Sequence, residues 1–199
     1  SEGELRMEKM DSLLNTRTRL VAITHISNVL GTINPIDEIV SLAHAKNIPV
    51  LVDGAQSVGH YPVDVKESDI DFLVFSAHKM FGPLGTGVLY CKEQWAAQVE
   101  AFNFGGGSIR NVEFERTEFL DYPLRLEAGT ANIPGVIGLG SAIDFIQQIS
   151  LKDVTGNERN LSATFKEKLK ALGGISLVGN PKNFGGIVSF QVDNIHPHD

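Results

Sequence analysis

The sequence predicts an α/β fold built on a mixed, mostly parallel sheet. Three observations point there: short apolar runs alternate with amphipathic helical stretches, a strand-helix-strand unit lies near the start, and polar or glycine-rich turns follow the apolar runs directly. Strands this continuously apolar are expected where helices cover both faces of a sheet. Ligands of such sheets bind beyond the carboxyl ends of the strands, so the turns there are the place to look for chemistry.

Residues 19–24 read as the first strand, followed by a polar loop over 25–34. Asn34 stands where a helix N-cap is expected, with Pro35 at the first helical position, Asp37 and Glu38 in the first turn, and His44 and Lys46 in the last. Ile36, Ile39, Val40 and Ala43 recur at helical spacing and give this helix one face to lay on the sheet. Residues 49–53 form the second strand, and a helix between two strands makes them parallel. Residues 71–75 form a third. Residues 86–91 form a fourth, antiparallel because the turn through Gly82, Pro83 and Gly85 is short.

Residues 95–125 are less regular and carry Gly105-Gly106-Gly107. A long buried helix is predicted over 134–149, with Val136, Leu139, Ile143 and Ile146 on one face. Leu161, Phe165, Leu169 and Leu172 then mark an amphipathic helix, and 175–178 and 186–192 read as strands. The predicted division is residues 1–149 as part of a large domain and 150–199 as the beginning of a smaller one.

At 199 residues and 42% hydrophobic content the chain can bury a substantial core. Its net charge is −7 and its 17 Lys and Arg are scattered, which argues against nucleic acid or an anionic membrane as partner. No stretch approaches the roughly 18 apolar residues of a membrane span, and no secretory pattern opens the chain; a cytoplasmic location is expected. Cys91 is the one cysteine, so no disulfide framework forms within the chain. A start at Ser1 and a stop soon after a strand suggest a fragment.

Lys79 is the most informative residue. It follows the apolar run Phe72 to Phe75 within Ser76-Ala77-His78-Lys79 and precedes the turn Gly82 to Gly87. Upstream, Asp53 closes the second strand ahead of Gly54-Ala55-Gln56. An Asp and a Lys at the ends of neighbouring strands are what pyridoxal phosphate (PLP) chemistry needs: the amine forms a Schiff base, and the carboxylate pairs with the pyridinium nitrogen. The ordinary reading of each is blander, a solvated lysine and an Asp-Gly turn. Against it, Ser76 and His78 are donors suited to phosphate oxygens, and the nearby glycines let backbone approach a ligand.

The Asp53 carboxylate is expected to be partly buried. At about 4 Å and an effective dielectric near 20 its pairing with a pyridinium amounts to roughly 4 kcal/mol before desolvation. Gln56 is placed to donate to the cofactor's phenolic oxygen, and Asn28, after the first strand, to contact cofactor or substrate. His25 reads as a hydrogen-bonding support at least as readily as a catalytic group; His44 and His60 read as surface or capping residues.

Competing motifs fail on spacing. Gly82, Gly85 and Gly87 run G-x-x-G-x-G into a strand, where a dinucleotide site needs G-x-G-x-x-G into a helix, and no Gly-Lys pair offers a P-loop. His196-Pro197-His198-Asp199 lacks Cys partners and a workable spacing, so no metal is expected. Cys91, inside a predicted strand, reads as structural.

Five segments carry a family resemblance: residues 24–32 (THISNVLGT), 53–57 (DGAQS), 76–83 (SAHKMFGP), 105–109 (GGGSI) and 126–132 (LEAGTAN). On these the chain resembles the class V aminotransferase-like PLP enzymes of fold type I, most closely cysteine desulfurases of the SufS and selenocysteine lyase type. The resemblance implies that Lys79 carries the Schiff base, Asp53 faces the pyridine nitrogen, Gln56 the phenolic oxygen, and Ser76 and His78 the phosphate. It further implies that Asn28 lies near the ring, and that Thr130 reaches the phosphate of a neighbouring subunit in a homodimer. L-cysteine or selenocysteine is the implied substrate, with a sulfur-acceptor protein as a possible partner in sulfur transfer or Fe-S cluster assembly.

The family's sulfur-accepting cysteine, its ring-stacking His and its carboxylate-binding Arg have no counterpart in these 199 residues, and Cys91 does not match the first of them. An aminotransferase, a kynureninase-like lyase or an epimerase would use the same Asp53 and Lys79, and a non-catalytic dimeric scaffold is the rival of another class.

Overall fold

A computed structural model describes residues 2–198. Val21–Thr24 (β1), Val50–Asp53 (β2) and Phe72–Ser76 (β3) run parallel, Gly87–Cys91 (β4) pairs antiparallel with β3, and the order is β1-β2-β3-β4. The register sets Thr24 beside Asp53, Asp53 beside Val74, and Ser76 beside Gly87. The carboxyl ends of three strands therefore meet at one edge, as the strand-helix-strand pattern required.

Met10–Leu13 (α1) precedes the sheet, and Ile36–His44 (α2) crosses from β1 to β2. The cap of α2 differs from expectation. Pro35 takes the N-cap position and Asn34 makes no capping bond; its amide donates instead to Thr24 O at 2.7 Å, tying the loop to β1. Strand starts also shift inward, because Pro49 has no N–H to give the ladder and serves only as acceptor for Val21 N.

One face of the sheet builds the core. Val21, Ile23, Val50, Val52, Leu73, Phe75 and Tyr90 alternate along the strands and join Ile36, Ile39, Val40 and Ala43 of α2. The intervening residues point the other way, where Ala22, Asp53 and Leu89 are exposed. The expected covering of both faces is thus one-sided among the described residues.

After β4 come Glu93–Ala96 (α3) and a hairpin of Ile109–Val112 (β5) with Thr117–Phe119 (β6). No Asn-Gly or Gly-Gly pair marks the hairpin's turn, so the sequence did not announce it. Ile133–Gln147 (α4) lays Leu139 and Ile146 on Ala77 and Met80. Its predicted burial is only partial: Ile133, Val136, Ile137 and Phe145 are exposed. A helix apolar on all sides gives periodicity no stripe with which to pick the packed face.

Leu151–Lys170 (α5) leads to Ile175–Leu177 (β7) and Phe190–Val192 (β8), a separate antiparallel pair. The buried face of α5 is Ser162, Lys166 and Leu169, while the predicted Leu161, Phe165 and Leu172 are exposed. A lysine stem buries as readily as an apolar side chain when its head finds an aromatic face; Lys166 Nζ lies 3.5 Å from the Phe184 ring centre.

Candidate active site

Asp53 and Lys79 occupy adjacent turns at the carboxyl edge. The ladder runs on past the strands, with His25 N donating to Asp53 O at 2.9 Å and Gly54 N to Val74 O at 2.8 Å. Residues 54–61 coil into a turn held by Ser57 N and Val58 N on Gly54 O. Asp53 itself is exposed, contrary to the expected partial burial, because its place in the strand alternation turns it to the uncovered face. Its Oδ1 accepts from Ala55 N at 2.9 Å, the local turn geometry that Asp-Gly favours. In this exposed setting its pairing with a cation falls from the roughly 4 kcal/mol expected at an intermediate dielectric toward about 1 kcal/mol.

Lys79 ends a short 3-10 turn over Ala77–Lys79. It is half-buried, and among the described residues its amine has neither hydrogen bond nor ion pair. The turn is tightly built. Met80 N and Gly82 N both donate to Ala77 O at 2.9 Å, and Phe81 between them has φ 65°, a left-handed backbone that an aromatic residue rarely adopts. Such strain persists where surroundings over-determine it, and it gathers at ligand sites.

The two turns touch at Gly59. A Cβ there would lie 2.9 Å from Lys79 O and 2.7 Å from Met80 Cβ. Only a glycine permits this approach.

Ser76 and His78 meet each other, Oγ to Nδ1 at 2.7 Å, with His78 exposed. A hydroxyl and a neutral imidazole have one donor hydrogen each, and the mutual bond uses one. Whichever group donates, the other keeps a hydrogen for an anion.

Other expected residues scatter around this centre. Gln56 borders a cavity of ≈ 110 Å³ with Ile26, His60, Glu158 and Gly186. Asn28 is exposed in the loop after β1, which folds back through Ser27 N on Thr32 O. Thr130 is exposed two residues before Asn132, which accepts from Gly135 N at the start of α4. The same Asn132 donates to Gly85 O at 3.3 Å and Thr86 Oγ1 at 3.1 Å, fastening the Thr130 segment to the turn after Lys79. Sequence reading gave Asn132 no role; its position just before a helical run with Pro134 was the signal.

His25 is buried edge-on to Tyr61, its Nδ1 without a partner among the described residues. Burial holds its pKa below the usual histidine value despite the opposing charge of Asp37. It borders a cleft of ≈ 900 Å³ between the start of α2 and α5, which neither Asp53 nor Lys79 lines. The candidate chemistry is therefore not in that cleft. No group of three or more His, Cys, Asp or Glu able to hold a metal ion occurs among the described residues, and Asp199 of the His196 to Asp199 segment lies outside them.

Two histidines read as surface or capping residues are neither. His60 Nδ1 donates to Glu158 Oε1 of α5 at 2.8 Å. His44 lies between carboxylates, Nδ1 3.0 Å from Asp69 and Nε2 2.7 Å from Asp71. Asp71 is 1% exposed and also accepts from Val50 N, Lys92 Nζ and Trp95 Nε1. Burial alone would raise its pKa; the donors from His44, Trp95, Val50 and Lys92 outweigh it and hold the carboxyl below its usual value.

The sequence model of the aminotransferase class-V family matches residues 1–199. A cysteine desulfurase of Shigella sonnei is 43% identical over 199 residues, 100% of this chain and 49% of that protein. Among solved structures, the apo cysteine desulfurase from Thermococcus onnurineus NA1 superposes with a TM-score of 0.91 at 38% identity, covering 99% of this chain and 50% of its own. A C-DES mutant solved with glycine covalently linked to its PLP cofactor gives 0.81 at 25% identity, covering 96% and 51%. The chain spans about half the length of the relatives it matches.

Proposed function

The chain belongs to the aminotransferase class-V family, and from that premise we propose that it forms the central part of a PLP-dependent cysteine desulfurase, acting on L-cysteine to release its sulfur. One observation carries the proposal: a half-buried lysine whose amine has no partner among the described residues, on a strained turn that touches the turn following Asp53.

The donor set fits the cofactor. When bound, PLP supplies an aldehyde for amine capture and a ring that accepts electrons from the substrate's α-carbon. Lys79 Nζ is the amine we assign to the covalent bond, and after its release to the proton transfer at the substrate α-carbon. The Asp53 carboxylate holds a proton at the ring nitrogen, and Gln56 donates to the phenolic oxygen. The donor hydrogen left over from the Ser76–His78 pair serves the phosphate. Asn28 contacts the ring or substrate, and Thr130, on an exposed segment, serves the phosphate of a partner subunit in a homodimer.

We further read residues 1–149 as part of the large PLP-binding domain and 150–199 as the start of a small one. The separate β7–β8 pair beside α5 supports that division. The single cysteine agrees with a cytoplasmic setting; no described helix is long and apolar enough to cross a membrane. Sulfur leaving the substrate passes in this reading to a cysteine other than Cys91, and onward to an acceptor protein.

The test is reduction with borohydride of the PLP-loaded full-length protein, followed by peptide mass spectrometry. A pyridoxyl label on Lys79 is expected, together with alanine formation from L-cysteine. A label on another residue, or none, sinks the assignment.

A further inference from the structure

We propose that α5 sets the position of the turn that follows Asp53 and carries Gln56, with Glu158 and Thr155 as positioning residues for the cofactor; this rests on the reading above. The 54–61 turn is gripped from two sides. On one, Gly59 lies against the Lys79 turn so closely that a Cβ would come within 2.9 Å of Lys79 O. On the other, His60 is held twice by a helix almost a hundred residues away in the chain.

His60 Nδ1 donates to Glu158 Oε1 at 2.8 Å, and the one hydrogen of the Thr155 hydroxyl is shared between His60 O at 2.7 Å and Leu151 O of its own helix at 2.8 Å. The side chains of His60 and Glu158 are 35% and 29% exposed. The carboxylate acceptor makes this bond stronger than a neutral one of the same length.

The turn transmits this hold because it is a hydrogen-bonded unit. His60 N donates to Ser57 O at 2.9 Å and Val58 N to Gly54 O at 3.0 Å. Gln56 borders the ≈ 110 Å³ cavity that His60, Thr155 and Glu158 also line. Releasing His60 lets the turn relax into that space and moves Gln56 with it. Among the described residues neither Glu158 nor Thr155 hydrogen-bonds Asp53, Gln56, Ser76, His78 or Lys79, so each acts through His60.

The experiment uses the full-length protein with Glu158→Ala, Thr155→Val and the shape-preserving Glu158→Gln. In the apoprotein, amides of residues 57–61 should exchange hydrogen faster in the first two variants. On reloading, PLP should bind about tenfold more weakly, the loss expected for one charge-assisted hydrogen bond. The pH titration of the bound cofactor's absorbance should shift as well. Glu158→Gln, whose amide oxygen still accepts from His60, should keep most of the wild-type behaviour. Faster exchange with PLP affinity and titration unchanged overturns the positioning role, as does unchanged exchange. Wild-type protein that takes up no PLP, or takes it up away from Lys79, overturns the functional reading and the inference together; wild-type binding at Lys79 with indifferent variants overturns the inference alone.

Discussion

At its amino end β3 begins beside Asp71, which is 1% exposed and accepts from four groups; past its carboxyl end stands Lys79, half-buried and without a partner among the described residues. The two sites are built on the same strands from the same kinds of side chain. A buried carboxylate must be paired, and the cluster of His44, Lys92, Trp95 and the Val50 amide leaves Asp71 no vacancy for a ligand. The far edge is unsaturated: Asp53 is exposed, the Ser76–His78 pair retains a donor hydrogen, and Phe81 holds a strained turn. Saturation marks the end that holds the sheet together; the end with donors to spare is the one to which the proposal assigns the chemistry.

The largest expected effects set these ends against each other. Asp71→Ala should destabilise the protein by about 3–5 kcal/mol, since it removes one partner of a buried charge cluster and strands the Trp95 and Val50 donors. Lys79→Ala should change stability by no more than about 0.5 kcal/mol yet abolish covalent cofactor retention. Urea denaturation of both variants, read beside borohydride labelling, checks the pair. Equal destabilisation at the two ends would break the contrast. The Asp71 carboxyl also titrates lower in the folded protein than the roughly 3.9 of an unfolded chain. Its contribution is therefore complete above that pH and drains away as pH falls toward the folded value. Urea midpoints of Asp71→Asn and wild type should differ at neutral pH and converge as pH is taken down below the unfolded carboxyl value of roughly 3.9.

How much of this contrast was legible follows from sequence distance. The open edge is local: an apolar run, then Ser76, His78 and Lys79 within four positions, and Asp53 ahead of Gly54, so reading along the chain found it. The closed end gathers residues 44, 50, 69, 71, 92 and 95, and no spacing rule connects His44 to Asp71. The strands were readable because their apolar runs are continuous, and their parallel order because a helical stretch separates the first two. The exposure of Asp53 was not, since strand residues look alike in sequence when the covering of one face is decided elsewhere. α5 misled for a related reason: Phe184 gives Lys166 a buried seat that periodicity assigns to Phe165.

A middle-sized effect belongs to the contact between the two turns. Gly59→Ala forces a methyl to within 3 Å of Lys79 O and the Met80 backbone, and overpacking of this kind costs about 1–3 kcal/mol. If the carboxyl edge is the working end, the loss should fall more heavily on PLP affinity than on folding. Titrating PLP into the apoprotein and comparing its shift with the urea midpoint separates the two. A loss confined to folding would place Gly59 with the closed end instead.

The smallest effect is expected at Cys91, which ends β4 next to the saturated cluster. Its side chain is 9% exposed and lies 3.3 Å from Lys92 O. Burial raises the thiol pKa, and the charge of Asp71 raises it further. A thiol so placed supplies little thiolate at neutral pH, and thiolate is the form that attacks sulfur. Cys91→Ala should leave desulfuration of L-cysteine within twofold of wild type, on the order of experimental spread, and cost about 1 kcal/mol of stability or less. Iodoacetamide should modify the folded protein at Cys91 only at the rate of unfolding. Fast alkylation there, or desulfuration lost with the fold intact, would move a reactive group to the closed end and undo the division of labour along β3.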